Sequence, residues 1–230
     1  MGANDPTVVF VHGAWVNETS WDKVVHALRS KGIATVVVTL PLSSLRDDTV
    51  VLGDAIEQID GPIVLVGHAY AGAVIASMED RKVKALIHIA ALAPDEGETV
   101  ADVFHRFGHG RKAPKLVPDA SGWIRLPAEA FGSAFAPNAT PEEQKYLAEN
   151  QLPISPTCIT VPVGSPLWKR VPSWYLVAEM DHMIPVETQR FMAERMKAHT
   201  MSCAADHLPS VTAPGCVEEI VVTALSHLRQ

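Results

Sequence analysis

The feature that most constrains the fold is residues 61–76, where an apolar run passes through a tight turn into a series of small residues. Residues 63–66 are typical of a buried strand, and the small residues after the turn favour a helix. This pattern is typical of the nucleophile elbow, G-x-S-x-G, in which small residues flank a strained central residue. Here Gly67 and Ala71 are the flanking residues, and Ala69 stands where a serine is expected.

Apolar runs recur along the chain and alternate with amphipathic segments. The predicted strands are residues 7–12, 34–39, 63–66, 83–90, 173–178 and 200–203. Helices are predicted at about 20–31, 47–59, 186–196 and 216–228, with a further helix after the elbow reaching about Arg81. Because the strands are apolar along nearly their whole length, the pattern predicts a parallel sheet covered by helices on both faces. The fold class is therefore α/β, with a doubly wound sheet of about six parallel strands.

The chain is long enough for one domain, residues 1–230, and its 47% apolar and 20% charged content is ordinary for such a domain. Residues 93–172 differ from the rest because they are rich in Pro, Gly and aromatic side chains. A segment of this length between two strands is too long for a plain loop. We predict that it forms a mostly helical cap insertion over the carboxyl ends of the strands, where open α/β sheets bind ligands.

An acid and a histidine follow the last two predicted strands. Asp181 comes after the strand at 173–178, and His207 comes after the strand at 200–203. Because parallel strands end at one edge of the sheet, these side chains can meet the elbow there. We assign Asp181 to orient His207, and His207 as general base directed at position 69. Glu179 is the alternative acid, and His182 is the alternative histidine.

The loop after the first strand predicts an oxyanion hole. Its two backbone amides would be those of Ala14 and Tyr70, and Gly13 would allow a substrate to approach closely, although a tight turn alone would also favour glycine. The candidate substrate-binding residues are an assortment of small, aromatic and histidine side chains: Gly13, Trp15, His68, Phe104, Trp123 and Phe135. At any single aromatic position, packing in the core is the alternative role.

Several classes of partner are not indicated. A net charge of -7 without a long basic cluster argues against nucleic acid and against a membrane surface. His105 and His109 have the spacing of helical metal ligands, but Gly108 and Gly110 disfavour a helix, and no further ligand is near, so we expect no metal. No Gly-rich cofactor loop is present, and we expect no cofactor.

The first residues show neither the basic region nor the long apolar run of a signal segment, so we expect a cytoplasmic location. Cys158, Cys203 and Cys216 are odd in number and far apart in the sequence, so we expect free thiols. The expected oligomeric state is a monomer or a homodimer.

These motifs resemble the α/β-hydrolase superfamily, and within it the small, short-capped esterase-like branch with plant methylesterases and hydroxynitrile lyases. The resemblance rests on matching segments that span nearly the whole chain, namely VFVHGAW, VLVGHAYAG, AALAPDEGET, PSWYLVAEMDHMIP and ADHLP. It implies an α/β-hydrolase fold and a Ser-His-Asp triad acting on a small-molecule ester or lactone. Ala69 is the departure from that pattern, because the family has serine there.

Two explanations of Ala69 compete. The chain is either a deliberate Ser-to-Ala variant of an active serine-type hydrolase, able to bind substrate without turnover, or a natural pseudo-hydrolase that binds a small molecule. We favour the variant, because the acid, the histidine and both oxyanion loops are kept. A hydroxynitrile lyase-type reaction in the same site is a further alternative, although such lyases usually use the serine as well.

Overall fold

The computed structural model describes residues 5–108, 110 and 112–229, which contain a six-stranded parallel sheet. The strands are β1 Thr7–Val11, β2 Thr35–Val38, β3 Ile63–His68, β4 Val83–Ile89, β5 Ser173–Ala178 and β6 His199–Cys203. They lie in the order β2-β1-β3-β4-β5-β6. The predicted α/β class and the parallel sheet are therefore confirmed.

The helices alternate with these strands. The structure contains α1 Asp22–Ser30, α2 Leu45–Glu57, α3 Ala71–Ala76, α4 Val100–Phe104, α5 Ala128–Ala130, α6 Pro141–Glu149, α7 Thr157–Thr160, α8 Val186–Arg195, α9 Pro209–Thr212 and α10 Pro214–Leu228. Short 3-10 turns occur at Glu18–Trp21 and Leu167–Lys169, and a π-helical turn occurs at Phe131–Phe135. Helix α3 was predicted to reach about Arg81, but it ends at Ala76. Directly after that end, the Ser77 hydroxyl donates to the Ala73 carbonyl (2.8 Å) and offers the backbone an alternative partner.

Two apolar layers cover the sheet, one on each face. Alternate residues of a strand point to opposite faces, so Val8 and Phe10 pack with α1 and α10, while Val9 and Val11 pack in the layer that includes α2, α3 and α8. The second layer continues into the segment between β4 and β5, where Phe131 is fully buried. The sheet therefore shares its larger core with residues 93–172.

The regular elements described within residues 93–172 are short helical segments and two isolated bridges. This segment is tied to the loop after β1 by Trp15, whose backbone N–H donates to the Leu152 carbonyl (2.9 Å) and whose ring Nε1–H donates to the Ile124 carbonyl (3.0 Å). These bonds hold the segment at the edge of the sheet where the strands end.

The cysteine prediction is wrong at two of three positions. Cys203 at the end of β6 and Cys216 in the first turn of α10 form a disulfide, with their Cα atoms 6.4 Å apart. The sequence did not indicate this pairing, because the two cysteines approach each other only when the segment containing α9 brings the chain back towards the end of β6. The Cα separation of 6.4 Å lies within the usual range for a disulfide. Cys158 is a buried free thiol.

Across the described ranges, none of the helices has the length and apolar character needed to cross a bilayer.

Candidate active site

The turn after β3 holds residue 69 in a strained conformation. Ala69 has a φ of 49°, in the left-handed region that residues other than glycine seldom adopt. Three backbone bonds fix it: its N–H donates to Ile89, and its carbonyl accepts from Gly72 and Leu92. A Cβ atom on Gly67 would lie 2.7 Å from the Ala71 carbonyl oxygen, so only glycine fits there. The turn therefore keeps elbow geometry although the residue at its apex is alanine.

Asp181 and His207 lie against each other at the edge of the sheet. His207 Nδ1 is 2.8 Å from Asp181 Oδ2, and both side chains are buried. Three further donors fix the carboxylate: the backbone N–H groups of Met183 (2.7 Å) and Ile184 (2.9 Å), and the Gln189 side-chain amide (2.9 Å). Because a carboxylate accepts, Nδ1 of His207 donates its proton to Asp181. The lone pair of the ring is then on Nε2, the nitrogen suited to act as a base.

The two alternative residues lie elsewhere. Glu179 pairs with Arg190 (2.6 Å) at the surface. His182 is partly buried and directs Nδ1 towards the Ser133 carbonyl at 3.4 Å. The structure therefore brings Asp181, rather than Glu179, into contact with His207.

The loop after β1 passes directly beside residue 69. A Cβ atom on Gly13 would lie 2.9 Å from the His68 carbonyl oxygen and 3.0 Å from Ala69 Cβ. Ala14, Ala69 and Tyr70 line one cavity. Among the residues that the structure describes, no protein acceptor is found for the backbone N–H of Ala14 or Tyr70. Both amides are therefore available to a bound oxygen.

His12, which the sequence reasoning did not single out, fixes the direction of the Ala14 amide. Its Nδ1 donates to the Gly13 carbonyl (2.8 Å), and its Nε2 accepts from the Leu40 backbone N–H (3.0 Å). In a trans peptide the C=O and N–H point in opposite directions, so a Gly13 carbonyl held by His12 turns the Ala14 N–H away from that ring. Burial lowers the pKa of His12 and favours this neutral state. The available signal was the position of His12 directly before Gly13.

His68 lies behind His207 and is not among the residues lining the cavity. Its Nε2 donates to the His207 backbone carbonyl (2.7 Å). Complete burial, together with the neighbouring His207 ring, lowers the pKa of His68 to about 3. His68 thus supports the loop that carries His207, whereas its sequence prediction was contact with substrate.

Tyr70 is anchored by a buried acid that the sequence reasoning also missed. The Tyr70 hydroxyl donates to Asp48 Oδ2 (2.7 Å), and Asp48 Oδ1 accepts from the Leu42 backbone N–H (2.8 Å). Burial raises the pKa of Asp48, and burial also raises that of the adjacent Cys158 thiol to about 12. This cluster fixes the Tyr70 side chain and, through it, the start of α3. Asp48 offered no signal, since it reads as an ordinary acidic residue in the first turn of a helix.

A cavity of about 340 Å³ opens at this edge of the sheet. Its walls are mostly apolar and come from the strand-end loops and from residues 93–172: Ala14, Trp15, Ala69, Tyr70, Leu92, Val100, Ala101, Phe104, His105, Pro114, Lys115, Leu116, Ile124, Ile154, Ile159, Met183, Ile184 and His207. Of the predicted aromatic residues, Trp15 and Phe104 line the cavity, and Phe135 packs edge-on against His207 with ring centroids 5.0 Å apart. Trp123 is absent from the walls, although its neighbour Ile124 contributes to them.

The described part of the chain contains no group of three or more His, Cys, Asp or Glu side chains placed to hold a metal ion. Of the two spaced histidines, His105 lines the cavity, and His109 lies outside the described residues.

Comparisons with known proteins agree with this architecture. The sequence model described as "Alpha/beta hydrolase family" matches residues 8–218. Methylesterase 7 of Arabidopsis thaliana is 25% identical over 92% of this chain and 93% of its own length. A carbendazim hydrolyzing esterase of Nocardioides sp. (strain SG-4G) is 29% identical over 54% of this chain and 61% of its own. The crystal structure of polyneuridine aldehyde esterase superimposes with a TM-score of 0.82 at 17% identity, covering 99% of this chain and 100% of that one.

Proposed function

The chain belongs to the alpha/beta hydrolase family, and on that premise we propose that its site is that of a serine-type hydrolase of a small, largely apolar carboxylic ester or lactone, lacking its nucleophile. The observation that carries the proposal is the hydrogen-bonded pair of His207 and Asp181 (2.8 Å) beside a strained residue 69. Such a pair activates a hydroxyl at the apex of this kind of turn. The matched methylesterase and esterase are consistent with an ester as the substrate class.

With serine at position 69, each neighbouring group has a role in acyl transfer. Nε2 of His207 would take the hydroxyl proton as the oxygen attacks the carbonyl carbon, and Asp181 would stabilise the resulting imidazolium. The amides of Ala14 and Tyr70 would hold the oxyanion. His207 would then protonate the leaving alcohol, and water would release the acyl group by the same steps.

With alanine at position 69, the acyl-enzyme cannot form. Loss of the nucleophile from comparable triads lowers turnover by about a million-fold, while binding can survive. We propose that this chain binds its ester without turning it over. The complete set of supporting residues favours substitution of an active parent over long divergence, and we regard residues 93–172 as the cap that closes the site.

Restoring the hydroxyl is the direct test. Ala69→Ser should hydrolyse p-nitrophenyl acetate or butyrate at least a thousand-fold faster than the alanine form, within the range of about a million-fold that a nucleophile contributes. The matched control is the double variant Ala69→Ser/His207→Gln, which keeps the hydroxyl and removes its base. Esterase activity that stays at the level of the alanine form, or that survives in the double variant, would refute the proposal.

A further inference from the structure

The site retains a base and an oxyanion hole although it has no nucleophile. His207 Nδ1 donates to Asp181 (2.8 Å), which leaves the Nε2 lone pair without a hydrogen-bond donor among the described residues. His207 lines the same cavity as Ala69, and what Ala69 offers there is a methyl group. Two backbone N–H groups, those of Ala14 and Tyr70, are also without protein acceptors in the described chain.

Enolisation is a reaction that needs only a base and hydrogen-bond donors to an oxyanion. Removing the proton next to a carbonyl requires a base for the proton and donors for the negative oxygen that develops, and both act best where water is excluded. No covalent bond to the protein is involved. We propose that the chain as it stands catalyses the enolisation of small apolar ketones bound in this cavity. The proposal rests on the roles given above to His207, Ala14 and Tyr70, but it does not require a serine.

The proton transfer balances within the site. Nε2 of His207 takes the α-proton, the C–H bond breaks, and its electron pair passes through the carbon–carbon bond to the carbonyl oxygen. The amides of Ala14 and Tyr70 stabilise the enolate oxygen, and Asp181 stabilises the imidazolium. Return of a proton from the imidazolium regenerates the ketone and neutral His207. In D2O the imidazolium exchanges with solvent first, so the net result is replacement of hydrogen by deuterium at the α-carbon.

The cavity favours a ketone for this role. Its volume of about 340 Å³ suits a small molecule, and its walls are mostly apolar. A ketone has no leaving group, so a ketone held in the oxyanion hole cannot be hydrolysed, whereas loss and return of its α-proton can be followed by isotope exchange. The four hydrogen bonds to Asp181 hold the base in place before the ketone arrives, which reduces the reorganisation that the step requires.

The test measures deuterium incorporation into phenylacetone in D2O by proton NMR, using the chain with Ala69 unchanged. A positioned base contributes about 100-fold to 10,000-fold, so exchange should exceed the buffer rate and should fall by a factor in that range in His207→Gln. The control His26→Gln changes an exposed histidine of α1 and should leave exchange unaltered. Exchange at the buffer rate, or unchanged exchange in His207→Gln, would overturn the inference.

Because His207 is buried, a second measurement protects against a folding defect in the variant. Pivalophenone has no α-proton, and it should suppress phenylacetone exchange in the unchanged chain by competing for the cavity. Lys115 also lines the cavity, and an imine between its amine and the ketone would exchange the same proton. Treatment with cyanoborohydride during exchange should leave the protein mass unaltered. A trapped adduct, or exchange that pivalophenone does not slow, would assign the chemistry elsewhere.

The outcome is separable from that of the esterase test. Exchange in the alanine form with no esterase gain in Ala69→Ser would retain this inference and remove the proposed hydrolase. An esterase gain in Ala69→Ser with no exchange in the alanine form would do the reverse.

Discussion

The loop after β1 can approach the elbow closely because Gly13 has no Cβ atom. A Cβ atom there would lie 2.9 Å from the His68 carbonyl oxygen and 3.1 Å from His68 Nδ1. His68 cannot move away easily, since its Nε2 is bonded to the His207 carbonyl (2.7 Å). The close approach places the Ala14 amide beside residue 69.

Gly13→Ala should therefore push the loop after β1 away from the elbow. Overpacking of this kind costs about 1–3 kcal/mol in the free energy of unfolding. In the Ala69→Ser background it should also lower esterase activity by roughly 100-fold or more, the cost of losing one oxyanion donor. Gly164→Ala is the matched control, because a Cβ atom there meets nothing within 4 Å. Urea unfolding and the p-nitrophenyl ester assay measure the two effects, and equal losses in the two variants would contradict the explanation.

Sequence reasoning reached those site residues whose role depends on their position at a strand end. Asp181 follows the buried strand β5 and His207 follows the edge strand β6, and the parallel topology brings the residues after strand ends to one edge of the sheet. His12 and Asp48 act through hydrogen bonds to partners distant in sequence, the Leu40 backbone N–H for His12 and the Tyr70 hydroxyl for Asp48, and no spacing rule encodes those pairs. Trp123 was predicted to bind substrate, but it does not line the cavity. In an irregular segment, the sequence does not indicate the direction in which a side chain points.

At the level of elements, the inner strands β1, β3, β4 and β5 were predictable because burial on both faces makes them apolar along most of their length. The predicted segment at 173–178 coincides with β5, Ser173–Ala178. The disulfide was not predictable, because its two cysteines come together only after β6, α9 and α10 have been placed. Cys203 ends the edge strand and Cys216 lies in the first turn of the last helix. The bond therefore fastens α10 to the edge of the sheet.

Reduction of this disulfide should destabilise the protein measurably. The two cysteines are 13 residues apart. A disulfide that closes a loop of about this size lowers the entropy of the unfolded chain and so raises the free energy of unfolding by about 3 kcal/mol. Guanidinium unfolding with and without TCEP should show a lower midpoint in the reductant. The double variant Cys203→Ser/Cys216→Ser should begin at that lower midpoint and should not respond to TCEP. A midpoint that is unaffected by reductant in the unchanged protein would show that the bond contributes little.

For the molecule as a whole, the sheet and residues 93–172 form one packed body with the cavity between them. The core layer on the side of α2, α3 and α8 continues into the segment through residues such as Phe131 and Phe135. Both parts contribute to the walls of the cavity: Ala69 and His207 come from the loops at the strand ends, and Phe104 comes from residues 93–172. Loosening the packing of either part should therefore reshape the cavity as well as lower stability.

Three buried neutral histidines make the stability of the whole molecule sensitive to acid. Burial lowers the pKa of His68 to about 3 and that of His88 to about 4, and it also lowers the pKa of His12, all from an ordinary value of 6.5. Below pH 6.5 the unfolded chain binds protons that the folded chain does not. Stability is therefore full above pH 6.5 and declines as the pH falls towards 4, by about 1.4 kcal/mol per pH unit for His68 and for His88, and His12 contributes in the same direction.

His88 allows this contribution to be isolated, because it is fully buried, does not line the cavity and stacks its ring on Tyr175. His88→Leu removes one titrating group from the unfolded state, so the slope of unfolding free energy against pH should decrease by about 1.4 kcal/mol per pH unit between pH 4 and 6. Urea unfolding at intervals across this range measures the slope. His26→Gln, at an exposed position on α1, should keep the slope of the unchanged protein. Parallel slopes for His88→Leu and the unchanged protein would mean that His88 takes up its proton equally in both states, and the acid sensitivity would then have to come from other groups.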